Sequence, residues 1–358
     1  MPNTGKNIQK EKFTRLLMQW HNTQNNRQMP WKGEKDPYKI WLSEIMLQQT
    51  RVEQGLKYYN RFIKTFPTVQ QLAAAKDAKV FKLWEGLGYY TRCRNLLATA
   101  RYISKERNGA FPKTYEEIKS LKGVGPYTAA AIASFAFNQP YAVVDGNVFR
   151  VLARVFGSKL PIDSAEGKKY FTSLANELLH KKEPALSNQA MMDFGAIVCK
   201  PAAPLCEICI MSEICRARQK NIVAQLPVKE KKIQIKKRWF YFLVIRYKNE
   251  IFVQQRNQKD IWQGLYEFPL LESTTPLSRK KIEKTIEEQE WLKGSAFEII
   301  SISPVYKQQL THQFIQGRFI EIKMPKKPEA KTVYTFVKER KLKQLPFPKF
   351  INQYLQQV

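Results

Sequence analysis

Four cysteines within seventeen residues constrain this chain more than any other feature. Cys199, Cys206, Cys209 and Cys215 stand in CKPAAPLCEICIMSEIC, with six, two and five residues between them. Four thiolates this close in sequence can wrap one metal centre, and one winding loop with uneven gaps suits a [4Fe-4S] cluster. Structural zinc sites more often join two tight C-x-x-C pairs across a long gap, and only one tight pair occurs here. A zinc knuckle and disulfides are the alternatives. Disulfides are disfavoured because no secretory signal is read at the start and the fifth cysteine, Cys93, lies at no ligand spacing. The expectation is a reduced, intracellular protein with one [4Fe-4S] cluster held by residues 199–215.

Charge narrows the partner. The 358 residues carry 60 Lys plus Arg against 31 Asp plus Glu, a formal net charge of +29. Such an excess points to a polyanion, either nucleic acid or an anionic membrane surface. No apolar run approaches the roughly 18–20 residues of a membrane span, so nothing is expected to cross a bilayer.

Composition also divides the chain. Residues 12–218 read as successive helices with short connections, giving a first domain over 1–225. Residues 226–238 read as an exposed basic linker, which could dock a repair or replication protein. Residues 239–358 read as a smaller α+β domain, with strands in WFYFLVIRY and EIFVQQR around the turn Lys248-Asn249. Further strands are expected in RFIEIKM and TVYTFVK, and one helix in SRKKIEKTIEEQEWL.

One segment of the first domain, TYEEIKSLKGVGPYTAAAIASFAF, is unusually legible. Thr114 with Glu117 is a capping box that starts a short helix. Gly125-Pro126 opens a second helix, with Pro126 in the first turn, where proline is tolerated. Between them, Gly123, Val124 and Gly125 form a turn that another backbone can approach, with amides at a helix start that favour a phosphate. An ordinary tight helix–helix turn is the plainer alternative.

Two carboxylates stand out. In PYKIWLSEIMLQQT, Glu44 has Ile40, Trp41 and Leu47 on its helix face. Desolvation there disfavours the charged form and suits a general acid near neutral pH. Asp145 precedes Gly146, Asn147 and the helix VFRVLARVF, so it reads first as a helix N-cap. The helix dipole is expected to keep it ionised, the state needed to face a cationic sugar.

The run LKGVGPYTAAAI, with the aspartate of VVDGNV twenty-two residues after Gly123, resembles the helix-hairpin-helix signature of base-excision DNA glycosylases. PWKGEKDPYKIWLSEIMLQQT, GLGYYTRCRNL and NQAMMDFGAIVC are similar to adenine DNA glycosylases of the MutY type, and the cysteine loop to that of the endonuclease III branch. The resemblance implies a helical glycosylase domain with a [4Fe-4S] loop, acting on double-stranded DNA that carries an adenine:8-oxoguanine or adenine:guanine mispair. It implies a monomer in the cytoplasm, associated with the nucleoid if the source is bacterial. It assigns Glu44 to protonate the flipped adenine at N7, Asp145 to face the anomeric carbon, and Asn147 to orient Asp145. Gln49 and Tyr89 match positions that probe the duplex around the lesion, and Trp31 and Gln189 match positions lining the adenine pocket. For Trp31 and Tyr89 taken singly, burial in a core is the plainer reading. In strand-cleaving relatives the second hairpin helix carries a Schiff-base lysine; Tyr127 stands there, which implies that chemistry stops at the abasic site.

The second domain resembles the Nudix fold through IFVQQRNQKDIWQGLYEFPL, but FPL replaces the Gly-rich turn and IEKTIEEQEWL lacks the full glutamate pattern that holds magnesium. Such domains in adenine glycosylases recognise 8-oxoguanine. Their Phe-Ser-His loop corresponds to Leu310-Thr311-His312, so Thr311 and His312 are expected at the lesion. A bifunctional endonuclease III-type lyase and a catalytically silent iron–sulfur DNA-binding protein are the competing readings.

Overall fold

Side-chain caps or an early proline mark where several helices of the N-terminal half begin. The computed structural model describes residues 4–230, 234–289, 292, 295–327 and 334–357. Its first helices are α1 (Thr4–Gln24), α2 (Pro37–Leu47), α3 (Val52–Thr65), α4 (Val69–Ala74), α5 (Asp77–Trp84) and α6 (Tyr90–Glu106). There follow α7 (Tyr115–Ser120), α8 (Pro126–Phe137), α9 (Gly146–Phe156), α10 (Ala165–Leu178), α11 (Pro184–Ile197) and α12 (Arg216–Gln219). Asp36 accepts from the Tyr38 N–H ahead of α2, with Pro37 in the first turn. Thr114 and Glu117 close the capping box of α7, Pro126 opens α8, and Asp145 caps α9 through the Val148 N–H. Each cap satisfies an amide that the helix itself leaves unpaired.

The chain separates into two units, one formed by Met1–Ala73 and Asn95–Lys231, the other by Ala74–Arg94 and Lys232–Val358. In the first unit α1, α9, α10 and α11 enclose a core around Phe13, Trp20, Leu152, Phe171 and Phe194. The alanine-rich α8 packs against α2 and α7, its small side chains allowing close approach.

The second unit is built on β1 (Lys236–Tyr247) and β7 (Gln313–Lys323), paired in parallel from Lys236↔Gln313 to Arg246↔Lys323. β2 (Glu250–Gln255) folds back on β1 through the turn at Lys248-Asn249, and β4 (Leu270–Ser273) also pairs with β1. β3 (Tyr266–Glu267) and β8 (Thr335–Lys338) join β2; β5 (Glu298–Ile302) and β6 (Tyr306–Gln309) join β7. Tyr241, Leu243 and Ile245 face α13 (Arg279–Glu287), whereas Phe242 and Phe319 face α14 (Lys349–Leu355). Cover on both faces is why β1 reads as an unbroken apolar run.

Three features differ from the sequence reading. Segment 74–94 packs with the second unit: Gly264 approaches the Phe81 ring, Lys82 donates to Leu345 O, Glu85 accepts from Phe347 N, and Arg94 donates to Gln263 O. Residues 226–238 are not exposed throughout. Leu226 is buried, Val228 O accepts from Ile162 N at 3.0 Å, and Arg238 lies in β1, buried against Asp260 and Glu272. The helix α14 and the short strands β4 to β6 carried no sequence signal that we read. Residues 231–233 of the expected linker, Glu290 and Trp291 of the expected helix, and Thr332 and Val333 of the expected last strand lie outside the described residues.

Candidate active site

A cavity of about 1040 Å³ opens in the first unit and gathers most of the expected site residues: Trp31, Glu44, Gln49, Tyr127, Asp145, Asn147 and Gln189 all line it. Glu44 reaches it from the apolar face of α2 and is only 7% exposed. Burial pushes its carboxyl up to about 7; a hydrogen bond from Tyr127 works the other way, and the charge of Asp145 adds to the rise. The Tyr127 phenol, in the first turn of α8, is held well above its ordinary value by burial and by both carboxylates. The position that could have held an amine instead holds Glu44 by its hydroxyl.

Asp145 is both cap and wall of the cavity. One oxygen accepts from Val148 N at 2.8 Å and the other from Asn147 Nδ2 at 2.7 Å. Burial raises this carboxyl above its ordinary value, and the hydrogen bonds from Val148 and Asn147 oppose that rise. The sequence reading weighed the helix start alone; the structure adds desolvation. Asn147 is fixed in turn, because Arg150 Nη2 donates to its Oδ1 at 2.8 Å while Arg150 Nε donates to Cys199 O at 2.7 Å. Gly195 permits this approach of α9 and α11, since a Cβ there would meet Asn147 Cβ at 2.6 Å.

Sequence reasoning missed a second set of polar residues behind the cavity. Asp193, one turn after Gln189 on α11, is fully buried and paired with Arg27 and Lys32. Its signal was faint, because a charged residue on a helix usually marks a solvated face. The buried Arg150 and Arg154 on α9 were hidden for the same reason.

Trp31 and Tyr89 are not buried core residues. Trp31 is partly exposed at the cavity, with its ring edge-on to Tyr59, and Tyr89 is 45% exposed. Gln49 (φ 53°) and Tyr89 (φ 48°) both adopt left-handed backbone, which non-glycine residues rarely do outside functional or strained sites. Tyr89, Thr311 and His312 belong to the second unit and not to the cavity. There the Tyr89 and Thr311 hydroxyls hydrogen-bond each other, and the exposed His312 is anchored through its main-chain oxygen to Lys236 N at 2.9 Å.

The hairpin turn divides its labour. Gly123 has φ +81° and lies against Asn95, so a Cβ would be both strained and blocked. Gly125 has nothing within 4 Å of where a Cβ would stand, leaving room outside the turn. Val124 is buried, and its N–H donates to Leu121 O at 3.0 Å.

All four loop cysteines are free thiols, and they lie close enough to act on one another electrostatically. Burial pushes up the thiols of Cys199, Cys215 and Cys209, the last to about 11. Arg154 ties the loop to α9: it donates to Cys199 Sγ at 3.5 Å and to the carbonyls of Lys200, Pro201, Val223 and Leu226. Among the described residues, no three His, Cys, Asp or Glu side chains converge tightly enough for a single ion. No helix of the described residues is long and apolar enough to cross a membrane.

Comparison with known proteins accords with this geometry. Residues 42–178 match the HhH-GPD superfamily base excision DNA repair protein family, and residues 240–357 match the NUDIX domain. An adenine DNA glycosylase of Buchnera aphidicola subsp. Baizongia pistaciae is 38% identical over 262 residues, covering 72% of this chain and 73% of its own. One from Buchnera aphidicola subsp. Schizaphis graminum is 33% identical over 304 residues, covering 84% of both chains. The human adenine DNA glycosylase is 42% identical over 60% of this chain and 41% of its own. A thermostable thymine-DNA glycosylase superposes with TM-score 0.56 at 30% identity, over 60% of this chain and 99% of that one. An endonuclease III in a non-covalent DNA complex, at 21% identity and TM-score 0.52 over 60% of this chain and 98% of its own, shares the fold. With this likeness over most of its length and two carboxylates at the cavity, the chain belongs to the adenine DNA glycosylase family.

Proposed function

We propose that the chain excises adenine mispaired with 8-oxoguanine or guanine in duplex DNA and leaves an abasic site. The observation that carries this reading is the pairing of Glu44, with its carboxyl pushed to about 7, and Asp145 at one cavity. Carboxylates set inside a cavity can reach the adenine only when it leaves the stack, with the peptides of Gly123 and Gly125 binding a backbone phosphate. Protonated Glu44 gives its proton to adenine N7, and the C1′–N9 bond breaks with its electron pair leaving on the base. Asp145, oriented by Asn147, stabilises or captures the cationic sugar. Water then attacks C1′ and returns a proton to Glu44. Tyr127 supplies no amine, so no imine forms with the sugar and the strand stays intact.

The cysteine loop fits a cluster better than one ion. Four thiols from one loop match the donor set of a [4Fe-4S] centre, whose cage spreads its ligand sulfurs more widely than a single ion does. Cys199, Cys206, Cys209 and Cys215 would hold it, and Arg154 would donate to the Cys199 thiolate. A bound cluster supplies a rigid tie for the loop that Arg150 and Arg154 grip. On the second unit, Tyr89, Thr311 and His312 are the residues we assign to 8-oxoguanine. Its degraded Nudix helix leaves no role in nucleoside triphosphate hydrolysis.

Incubation with duplexes carrying adenine opposite 8-oxoguanine, adenine opposite guanine, or thymine glycol tests the reading. Alkali-dependent breaks only in the two adenine duplexes are expected. Breaks without alkali, or at thymine glycol, would make the protein a lyase of the endonuclease III kind.

A further inference from the structure

We propose that Asp193 makes the cavity select a purine by the substituent at C6, by fixing which end of the Gln189 amide a base can meet. The inference rests on the reading that the cavity receives adenine. Asp193 accepts from Gln189 Nε2 at 3.0 Å, from Arg27 Nη1 at 2.8 Å and from Asn25 Nδ2 at 2.9 Å, and Lys32 Nζ stands at 3.3 Å. A carboxylate accepts and cannot donate, so the NH₂ of Gln189 must face it. Turning the amide over would set carbonyl against carboxylate in a site with no solvent exposure. Asp193 cannot turn away either, because its ion pairs with Arg27 and Lys32 hold both oxygens.

Gln189 lines the cavity, so its Oε1 is the acceptor left for a bound base. Adenine carries an amine at C6 and can donate to that oxygen. Guanine and hypoxanthine carry a carbonyl there, and two buried acceptors would face each other unpaired. Discrimination of this kind, by the group left without a partner, exceeds what shape alone supplies. Gln189 and Asp193 lie four residues apart on α11, which keeps the pair on one helix face. Asp193 is therefore a positioning residue: it acts on the base through Gln189.

The test is single-turnover release of adenine and of hypoxanthine, each opposite guanine, by the full-length protein. Asn can donate or accept, so Asp193→Asn frees the Gln189 amide to turn and should lower the adenine-to-hypoxanthine rate ratio by about 10-fold or more. Asp193→Glu keeps an acceptor at the amide and should hold the ratio near that of the wild type. In a Gln189→Ala background, Asp193→Asn should leave the ratio unchanged, which a purely structural role would not predict. An Asp193→Asn protein that slows on both bases equally, or on neither, overturns the inference while the glycosylase reading stands. Wild-type protein that releases neither base overturns both.

Discussion

At the scale of single residues, burial sets the protonation that the proposed chemistry needs. Glu44 reaches about 7 because it is removed from water on an apolar helix face, with the Asp145 charge adding to the effect. Glu44→Gln and Asp145→Asn should each slow adenine release by about 10²-fold or more, the scale of losing a positioned acid or charge. Duplex binding should persist in both, since the hairpin is untouched. Tyr127→Phe removes a hydrogen bond that holds the Glu44 carboxyl down. Its pH–rate profile should therefore fall at higher pH than that of the wild type, a shift read from single-turnover rates. Stability follows the same group. The folded value of Glu44 lies above the unfolded 4.5, so its contribution is full below 4.5 and lost as pH rises through about 7. Glu44→Gln should thus melt higher than wild type at pH 8 but not at pH 5, with a gain of up to about 3 kcal/mol. An equal effect at both pH values would mean that the carboxyl is not perturbed by its burial.

At the scale of elements, α9 joins two sites. Its N-cap is Asp145, and its buried Arg150 and Arg154 hold the carbonyls and one sulfur of the cysteine loop. Arg154→Met should lower iron per chain in anaerobically purified protein and cost solubility, whereas Cys93→Ser, far from the loop in sequence, should leave iron unchanged. The hairpin allows a cleaner contrast. Gly123→Ala should destabilise the fold by about 1–2 kcal/mol, because it forces a Cβ into left-handed backbone against Asn95. Gly125→Ala meets no neighbouring atom, so it should melt like the wild type and weaken duplex affinity alone. These local features were legible because Thr114, Glu117, Pro126 and Asp145 act within one helical turn. The short strands β4 to β6 were not, since each depends on pairing with residues distant in sequence. Asp193, Arg150 and Arg154 were not either, because only tertiary packing distinguishes a buried charge from a solvated one.

At the scale of the whole molecule, the family domains account for most of the chain, while packing draws Ala74–Arg94 into the second unit. Removing everything after residue 230 would take Gly264 from Phe81, Leu345 from Lys82 and Phe347 from Glu85, so that truncation should cost stability as well as lesion preference. Thr311→Ala with His312→Ala in the full chain isolates recognition. It should reduce the preference for 8-oxoguanine over guanine opposite adenine and leave adenine release opposite guanine near the wild-type rate. The formal charge of +29 predicts non-specific duplex affinity that falls steeply with salt, whatever the opposing base. The central claim is that a buried, protonated Glu44 drives adenine release, and single-turnover adenine excision measured across pH tests it most directly. The account predicts a rate that falls as pH rises through about 7 in the wild type and a slow, pH-independent residue in Glu44→Gln. A Glu44→Gln protein that excises adenine at the wild-type rate, with the same pH dependence, would contradict it.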